Sequence, residues 1–267
     1  MDFVIRFFGN IGRSTFKLLT QLSRISTLIG QTFYWSVAAP LKGQKLGWRS
    51  TFEQMVRIGY ESIPIVALIS FFVGLIISMQ SAYQLAQFGA TIYTANLVAV
   101  SIVRELSPLL TAIIVTGRNG SAITAEIGTM KVSEEIDALK TMGFNPVKFL
   151  VVPRMIAMMI MLPSLTVMGN FIGIFGGYTI AMATLNITSV RYINQTISAL
   201  VFRDLFSGIV KSVFFALIIA TIGNYEGFNV EGGAEGVGKS TTKSVVTSIF
   251  LIIAADVFFT ALFYSTF

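Results

Sequence analysis

The sequence predicts an all-α integral membrane protein, with an N-terminal interfacial helix followed by five transmembrane helices. Two observations indicate this fold class. Of the 267 residues, 54% are hydrophobic and only 12% are charged, which is about half the charged fraction of an ordinary soluble domain. Long stretches such as 62–103 and 155–190 carry no charge at all. Each of them exceeds the roughly 20 residues that one helix needs to cross a bilayer.

The N-terminal segment, residues 1–57, differs from the rest of the chain. Eight basic residues are interspersed among Phe, Leu and Ile, and the uncharged stretch 25–40 is too short to span comfortably. We therefore predict an amphipathic helix lying in the membrane interface. A sixth span, tilted or re-entrant, is the alternative.

The transmembrane domain is predicted to occupy residues 58–267. Its spans are expected near 63–81, 95–116, 153–180, 205–223 and 244–264, because each of these segments is apolar on all sides. The polar stretch Gln80–Thr94 separates the first two spans.

The distribution of basic residues predicts the orientation. The N-terminal segment, the connection 117–154 and the connection 224–243 together contain fifteen Lys and Arg residues, whereas the other connections contain only Arg191 and Arg203. Basic residues concentrate in cytoplasmic segments. The N-terminus should therefore be cytoplasmic, and five spans place the C-terminus on the outer, periplasmic side.

The connection 117–147 has the pattern of a docking element. Ser133 is a candidate N-cap, Gly143 suits the residue after the helix, and Pro146 blocks continuation. We predict a short helix at about 134–142 whose apolar residues, Ile136, Leu139 and Met142, share one stripe. A capped, two-faced segment of this length favours a surface for a cytoplasmic partner, and a simple solvated connector is the alternative.

Four charged residues fall inside predicted spans: Arg104 and Glu105 in the second, Lys211 in the fourth and Asp256 in the fifth. A charge at this depth normally faces the protein interior or a wet cavity. Neighbours on a helix point apart, so we expect Lys211 to pair with Asp256, or either to pair with the second span. These groups either join helices or line a substrate path. Pro108 should kink the second span.

Three glycines, Gly169, Gly173 and Gly177, form two successive G-x-x-x-G steps in the third predicted span. Such steps let helices approach closely. They predict close packing, either within one subunit or across a dimer.

Residues 233–240 read GAEGVGKS and match the phosphate-loop pattern at Gly233, Gly238, Lys239 and Ser240. That motif requires a buried strand before it and a helix after it, inside an α/β domain. Apolar spans flank it here and leave no room for such a domain. We interpret the segment as a flexible loop that ends at a helix N-terminus, capped by Ser240, Thr241 or Thr242.

The composition also narrows the function. The chain contains no cysteine and no histidine, which excludes thiolate metal sites and cysteine nucleophiles and removes the commonest general base. No G-x-S-x-G serine element is present. We predict neither an enzyme nor a metal site. Because the basic residues lie between apolar runs, we expect no nucleic-acid role.

Two segments carry a family resemblance: RELSPLLTAIIVTGRNGSAITAEIGTMKVSEEIDALKTMGFNPVKFLVVPR at 104–154, and GGAEGVGKSTTKSVVTSIFLIIAAD at 232–256. They closely resemble the MlaE (YrbE) family, and the likeness extends over nearly all of the chain from about residue 50. The resemblance implies the homodimeric permease of an ABC transporter in the bacterial inner membrane. Its implied partners are a cytoplasmic ATPase that binds the ATP, a periplasmic MCE-domain protein, and a small STAS-domain protein on the ATPase.

The resemblance further implies a cargo and site residues. The cargo is phospholipid, moved between inner and outer membranes to maintain outer-membrane lipid asymmetry. The coupling helix corresponds roughly to Glu126–Met142, with Glu126, Lys131, Glu134, Glu135, Asp137, Leu139 and Met142 as contact residues. Arg104, Glu105, Lys211 and Asp256 become candidates for the lipid pathway. The permease itself would hold no cofactor. The alternative function is a partner-independent secondary transporter or channel, although no inverted repeat of broken helices is evident.

Overall fold

The computed structural model describes residues 2–38, 41, 47–185 and 187–266. Within these ranges the chain is almost entirely helical and contains no strand. The α-helices are α1 (Asp2–Phe33), α2 (Trp48–Ile58), α3 (Ile63–Ala86), α4 (Thr94–Ser101), α5 (Ser107–Val115), α6 (Ser121–Val132), α7 (Glu135–Thr141), α8 (Val152–Thr184), α9 (Ser189–Ala199), α10 (Phe202–Phe228) and α11 (Gly233–Thr266). Wider π-helical turns occur at Tyr34–Ala38, Ile102–Leu106, Thr116–Gly120 and Val147–Val151.

Five helical stretches among the described residues are long and apolar enough to cross a membrane. They are the first span Trp48–Ala86, the second Thr91–Val132, the third Val147–Thr184, the fourth Phe202–Phe228 and the fifth Gly233–Phe263. The predicted all-α fold with five spans is confirmed. α1 is not among them despite its 32 residues, because polar residues recur along it and lower its mean hydropathy. No sixth span is therefore found among the described residues, and the interfacial position of α1 stays a prediction.

The observed spans are longer than predicted at most of their ends. α2 passes through the boundary placed at residue 57 and continues through a short turn into the first span. The fifth span begins at Gly233 and not near residue 244. The loop between the first two spans is shorter than predicted, since α3 extends to Ala86.

The bundle is built around the third and fourth spans. The first and third spans pack along their length, and the fourth contacts the second, third and fifth. Ile127, Met158, Leu162 and Phe215 belong to the shared core and are fully buried. Large apolar side chains also cover the outside. Examples are Phe72, Phe171, Phe250 and Phe258, each more than half exposed. An apolar exterior of this extent is expected where lipid replaces water.

The two ends of the bundle differ in their connections. At one end, which we call the basic end, the connection between the second and third spans meets the connection between the fourth and fifth. At the other end, which we call the α9 end, α9 packs against α4 and the end of α8.

α9 is an element that the sequence reasoning missed. It is short and amphipathic, and it lies in a connection that was treated only as a loop between spans. Its Tyr192 is 1% exposed and packs against Ala95 and Ala181. This burial raises the pKa of the Tyr192 phenol to about 12. The tyrosine therefore holds α9 against the start of the second span and the end of the third.

Candidate functional site: a charged cluster and cavity within the bundle

A buried lysine in the fourth span connects three spans through one cluster of charged and hydroxyl groups. Lys211 is 1% exposed, and its Nζ lies 2.5 Å from Oε2 of Glu105 and 2.9 Å from Oδ1 of Asp256. It also donates a hydrogen bond of 2.8 Å to the Thr260 hydroxyl, which donates to the Glu105 carboxylate. An unpaired charge at membrane depth is costly, so this pairing accounts for a lysine in that position. The expected pairing of Lys211 with Asp256, and with the second span, is confirmed.

The cluster has one cation for two carboxylates. The Asp256 side chain is 13% exposed, whereas that of Glu105 is 34% exposed. Asp256 therefore acts as the buried counter-ion of Lys211, and Glu105 is the member with access to its surroundings. With both acids ionised the cluster carries an excess negative charge. It can accept a further positive or hydrogen-bond-donating group beside Glu105.

Two backbone features place Glu105 beside Lys211. The π-helical turn Ile102–Leu106 carries the glutamate just before Pro108. Proline lacks the N–H that would bond the carbonyl four residues earlier, and the wider turn accommodates this missing bond. The kink at Pro108 stays a prediction. The second feature is Gly208, where a Cβ would overlap the carbonyl oxygen of Val103. This contact draws the fourth span against the second, one helical turn before Lys211.

Arg104 points away from its neighbour and serves a second site. Its Nε lies 3.6 Å from Oδ1 of Asp204, and Oδ2 of Asp204 accepts the backbone N–H of Val201 at 3.2 Å. The pair borders a cavity of about 650 Å³. Its lining consists of Val100, Arg104, Ala199, Val201, Arg203, Asp204, Ser207 and Phe263. Charged and apolar groups thus share one enclosure at the α9 end.

The cavity and the cluster lie close together along the fourth span. Asp204 precedes Lys211 by two helical turns, which corresponds to about 10 Å of axial rise. The cavity can hold a charged group near Arg104 while apolar groups contact Val100 and Phe263. The structure therefore brings together all four residues predicted for the lipid pathway, one at the cavity and three in the cluster.

The glycine stripe of the third span packs within the chain. A Cβ on Gly74 of the first span would overlap the carbonyl oxygen of Gly173, and one on Gly176 would overlap the carbonyl oxygen of Phe71. Gly169 faces the hydroxyls of the first and second spans, and the Gly177 carbonyl accepts the hydroxyl of Ser78 at 3.1 Å. Of the two settings left open, close packing within the subunit is observed.

The short helix α7 at the basic end is observed, with different capping at its start. The prediction of Ser133 as N-cap is wrong, because its hydroxyl bonds the carbonyl of Thr129 and the Glu135 carboxylate. The turn is made instead by Glu134, which adopts a left-handed conformation with φ 60°. At the other end the predicted role of Gly143 is confirmed. It has φ 78°. The N–H of Gly143 donates to the carbonyl of Lys140, and the N–H of Phe144 donates to the carbonyl of Leu139. These two hydrogen bonds form a Schellman turn.

The predicted coupling residues divide by exposure and partner. Ile136 is buried, Leu139 is partly buried, and Met142 is 62% exposed, while Glu134 and Glu135 face solvent. Asp137 contacts Lys140 at 2.8 Å and Lys131 at 3.0 Å. Hydrogen bonds from these lysines, Lys140 first, hold the pKa of the Asp137 carboxyl below its usual value. The outer face of α7 is consequently acidic at its start and apolar at its end.

Glu126 lies apart from the other predicted coupling residues. Its Oε2 is 2.9 Å from Arg154, which is 9% exposed, and its Oε1 contacts Arg57. One carboxylate therefore joins α2 of the first span, the second span and the start of the third. These two ion pairs satisfy the carboxylate within the chain.

The comparisons with known proteins agree with this architecture. The sequence model of the family described as Permease MlaE matches residues 51–262. The chain belongs to the MlaE permease family. A probable ABC transporter permease protein of Rickettsia typhi is 42% identical over 212 residues, covering 79% of this chain and 82% of that protein. A probable ABC transporter permease protein of Synechocystis sp. is 41% identical over 214 residues, covering 80% and 81%.

A plant relative extends the range of similar proteins. The chloroplastic protein TRIGALACTOSYLDIACYLGLYCEROL 1 of Arabidopsis thaliana is 38% identical over 224 residues, covering 84% of this chain and 64% of that protein. The MlaE-family chain is thus an ABC transporter permease and a multi-pass membrane protein. Its class is that of a transporter, and an ABC permease works with an ATPase partner.

The phosphate-loop pattern of this MlaE permease is folded as a helix. Gly232 and Gly233, with φ 87° and 69°, form the turn after the fourth span, and α11 starts at once. The predicted capping by Ser240, Thr241 or Thr242 is wrong, since these residues lie inside α11, where two of their hydroxyls bond carbonyls one turn earlier. No strand precedes the segment within the described residues. A helical backbone cannot wrap a phosphate as a phosphate loop does.

Several site residues of the permease were not found by sequence reasoning. Asp204 was overlooked because it lies at the edge of a span, where an acidic residue suits a helix start. Thr260 carries no charge and gave no signal. Gly208 stands outside any G-x-x-x-G step. The ion pair of Glu226 with Lys243, at 2.9 Å, joins the fourth and fifth spans at residues that had been placed in a loop.

Proposed function

We propose that this chain is the permease subunit of an ABC-type phospholipid transporter, which moves lipids between inner and outer membranes and so maintains outer-membrane lipid asymmetry. The proposed location is the bacterial inner membrane, with the basic end and N-terminus cytoplasmic and the C-terminus periplasmic. The proposed assembly is a homodimer with cytoplasmic ATPase subunits, a periplasmic MCE-domain protein and a STAS-domain protein on the ATPase. ATP would be bound by the ATPase and not by this chain.

The observation that carries the proposal is the cavity bordered by Arg104 and Asp204 beside the Lys211 cluster. An amphiphile needs a polar contact for its head group and an apolar wall for its chains, and this enclosure offers both. An arginine provides a planar, permanently charged donor set that suits phosphate. Family membership supports the transporter class, and the name of the Arabidopsis relative refers to a glycerolipid.

The proposed mechanism follows from the positions of these groups. Two copies would enclose a central space that opens toward the periplasm and the MCE partner. ATP binding and hydrolysis in the partner would press on α7, whose exposed face includes Glu134, Glu135 and Met142. The shift would pass along the second span to the π-helical turn that carries Arg104 and Glu105. Movement of that turn changes the cavity and the cluster together, so the head group gains or loses its polar contacts.

The lipid pathway can be tested by neutralising its charges in the reconstituted complex. The variant combining Arg104→Gln, Glu105→Gln and Lys211→Gln should lose binding of a photo-crosslinkable phospholipid and its ATP-dependent transfer. Arg104→Gln alone leaves the cluster intact and should weaken both signals. A matched control is Lys239→Gln with Glu235→Gln, an ion pair whose side chains are 78% exposed. Full lipid binding and transfer by the triple variant would refute the assignment.

The coupling surface is tested separately by reversing charge at the tip of α7. Glu134→Lys with Glu135→Lys should abolish co-purification of the ATPase, because both side chains are exposed and make few contacts within the chain. Glu235→Lys places the same change elsewhere at the basic end and should leave assembly intact. Normal recovery of the ATPase with the double variant would count against a coupling role for α7.

The charged residues within the spans also permit a second function, namely a secondary transporter or channel that needs no ATPase. In that case the Lys211 cluster would bind an ion or proton. Ion-driven flux through the purified chain alone, with no stimulation by ATP and its partner, would favour this alternative. Lipid transfer that requires ATP would exclude it as the main activity.

A further inference from the structure

A narrow apolar groove lies under the C-terminal part of α1, far from the charged cavity. It has a volume of about 310 Å³. Its walls are Ile29, Thr32, Phe33 and Ser36 from α1 and the turn that follows, Met155, Ile156, Met159 and Ile160 from the third span, and Leu217 from the fourth. We refer to it as the α1 groove. Apart from two hydroxyls, every wall is apolar.

The size of the α1 groove limits what can fill it. Its volume is at the lower end of the range for small-molecule sites, and a single hydrocarbon chain is narrow enough to lie in it. Because Ile160 is 47% exposed and belongs to the third span, the groove opens toward lipid.

A cationic and aromatic pair stands at the basic-end entrance. The Nζ of Lys148 lies 5.0 Å from the centre of the Trp35 ring, and Trp35 directly precedes the groove residue Ser36. Tryptophan and lysine are typical residues of the membrane–water interface. The hydroxyl of Ser36 is buried and has no hydrogen-bond partner among the described residues. A hydroxyl donor in the wall of an apolar groove suits an ester carbonyl.

The spacing along the third span matches one lipid leaflet. From Lys148 to Ile160 there are twelve residues, or about 18 Å of helix. Half of a hydrocarbon core is about 15 Å thick. A lipid with its phosphate at Lys148 would therefore extend its chain along the groove and end near the bilayer centre.

The positive charge at the entrance selects the type of head group. The ammonium group of Lys148 stands there beside Trp35. A basic side chain near the membrane surface favours an anionic lipid over a zwitterionic one.

We propose that the α1 groove binds one acyl chain of an anionic glycerophospholipid from the surrounding bilayer, with Lys148 contacting the lipid phosphate. This lipid fastens α1 to the third and fourth spans. It occupies a site separate from the charged cavity, so the proposal does not depend on the transported cargo.

The two tryptophans of the chain, Trp35 and Trp48, allow a direct test. In a Trp48→Phe background, the full-length protein is placed in nanodiscs that contain phosphatidylglycerol or phosphatidylcholine with dibrominated acyl chains, which quench nearby tryptophan. Half-maximal quenching of Trp35 should require an approximately five-fold lower fraction of brominated phosphatidylglycerol than of brominated phosphatidylcholine. Five-fold is about the preference that one basic side chain provides at an anionic surface. Each variant is normalised to its own signal in unbrominated lipid.

Variants separate the groove from general attraction to the surface. Lys148→Gln should remove the head-group preference, whereas Arg24→Gln, an exposed change on α1 itself, should retain it. Ser36→Phe fills the groove and should reduce quenching by both lipids, with Ser26→Phe as the matched control. Equal quenching by both lipids, or full quenching in Ser36→Phe, would overturn the proposal. So would the absence of quenching by either lipid, which would indicate a protein occupant.

Discussion

Replacing Lys211 by methionine tests whether the cluster in the bundle is held by its one cation. The substitution keeps the length of the side chain and removes its charge. Asp256, whose side chain is 13% exposed, is then buried without a partner beside a second carboxylate. Breaking a buried ion pair in this way costs about 3–5 kcal/mol. Because Glu105 is one-third exposed, water offsets part of its contribution, and we expect a loss near the lower limit, about 3 kcal/mol.

Asp256→Asn should have a much smaller effect. Lys211 then retains Glu105 at 2.5 Å and Thr260 at 2.8 Å, and the remaining pair is electrically balanced. We expect a loss of about 1 kcal/mol. In the double variant the only charge left is the partly exposed Glu105, so at least half of the loss caused by Lys211→Met should be recovered.

The assay is thermal unfolding of the purified protein, followed by the loss of the monodisperse peak in size-exclusion chromatography. At roughly 2–4 °C per kcal/mol for a chain of this size, Lys211→Met should lower the midpoint by about 6–12 °C. Lys239→Met, at a side chain 78% exposed, is the control and should stay within about 0.5 kcal/mol. Equal midpoints for Lys211→Met and Asp256→Asn, or no recovery in the double variant, would refute the reasoning.

Further predictions concern the backbone and the titrating groups. Gly74→Val should prevent folding, because its Cβ would overlap a carbonyl of the third span, whereas Gly117→Ala, with open space around it, should express normally in the membrane fraction. Glu134→Gly should raise the unfolding midpoint by the equivalent of about 1 kcal/mol, since glycine adopts the left-handed conformation without strain. The pKa of Asp137 in the folded protein is lowered from its ordinary value of 3.8. The ionised carboxylate therefore stabilises the fold above pH 3.8, and this stabilisation is lost as the pH falls through the lowered pKa. Exchange of α7 amides, corrected for intrinsic rates, should therefore rise only below about pH 4. Tyr192 has a raised pKa of about 12, so the stability that its neutral phenol contributes is lost as the pH rises from 10 to 12. Tyr192→Phe should leave the tyrosinate absorbance below pH 11 unchanged.

The span count and the pairing of Lys211 could be predicted because each depends on a long-range regularity of the sequence. Charge-free stretches reveal spans, and a charge within a span demands an opposite charge. Local details were less accessible. The N-cap at Ser133 was wrong because a left-handed Glu134 gives no compositional signal. The late start predicted for the fifth span was wrong because four glycines between 232 and 238 are typical of a loop, whereas the structure is helical from Gly233.

The candidate site followed the same division. Its charged members were visible in the sequence, since Arg104, Glu105, Lys211 and Asp256 interrupt apolar runs. Asp204 was not, because an acidic residue at a helix start has an ordinary structural explanation. The π-helical turn that carries Arg104 and Glu105 was not predicted, because a proline within a span indicates a missing backbone hydrogen bond and not the form that the helix takes around it.

The close approach of glycines has a mechanical consequence. Where backbone touches backbone, as between the first and third spans at Gly74 and between the second and fourth at Gly208, no side chain can change rotamer to accommodate sliding. The helices of each pair should therefore resist sliding at these points and move only by tilting about them. The boundary between the two pairs is crossed at the basic end by the carboxylate of Glu126, which contacts one arginine of the first span and one of the third.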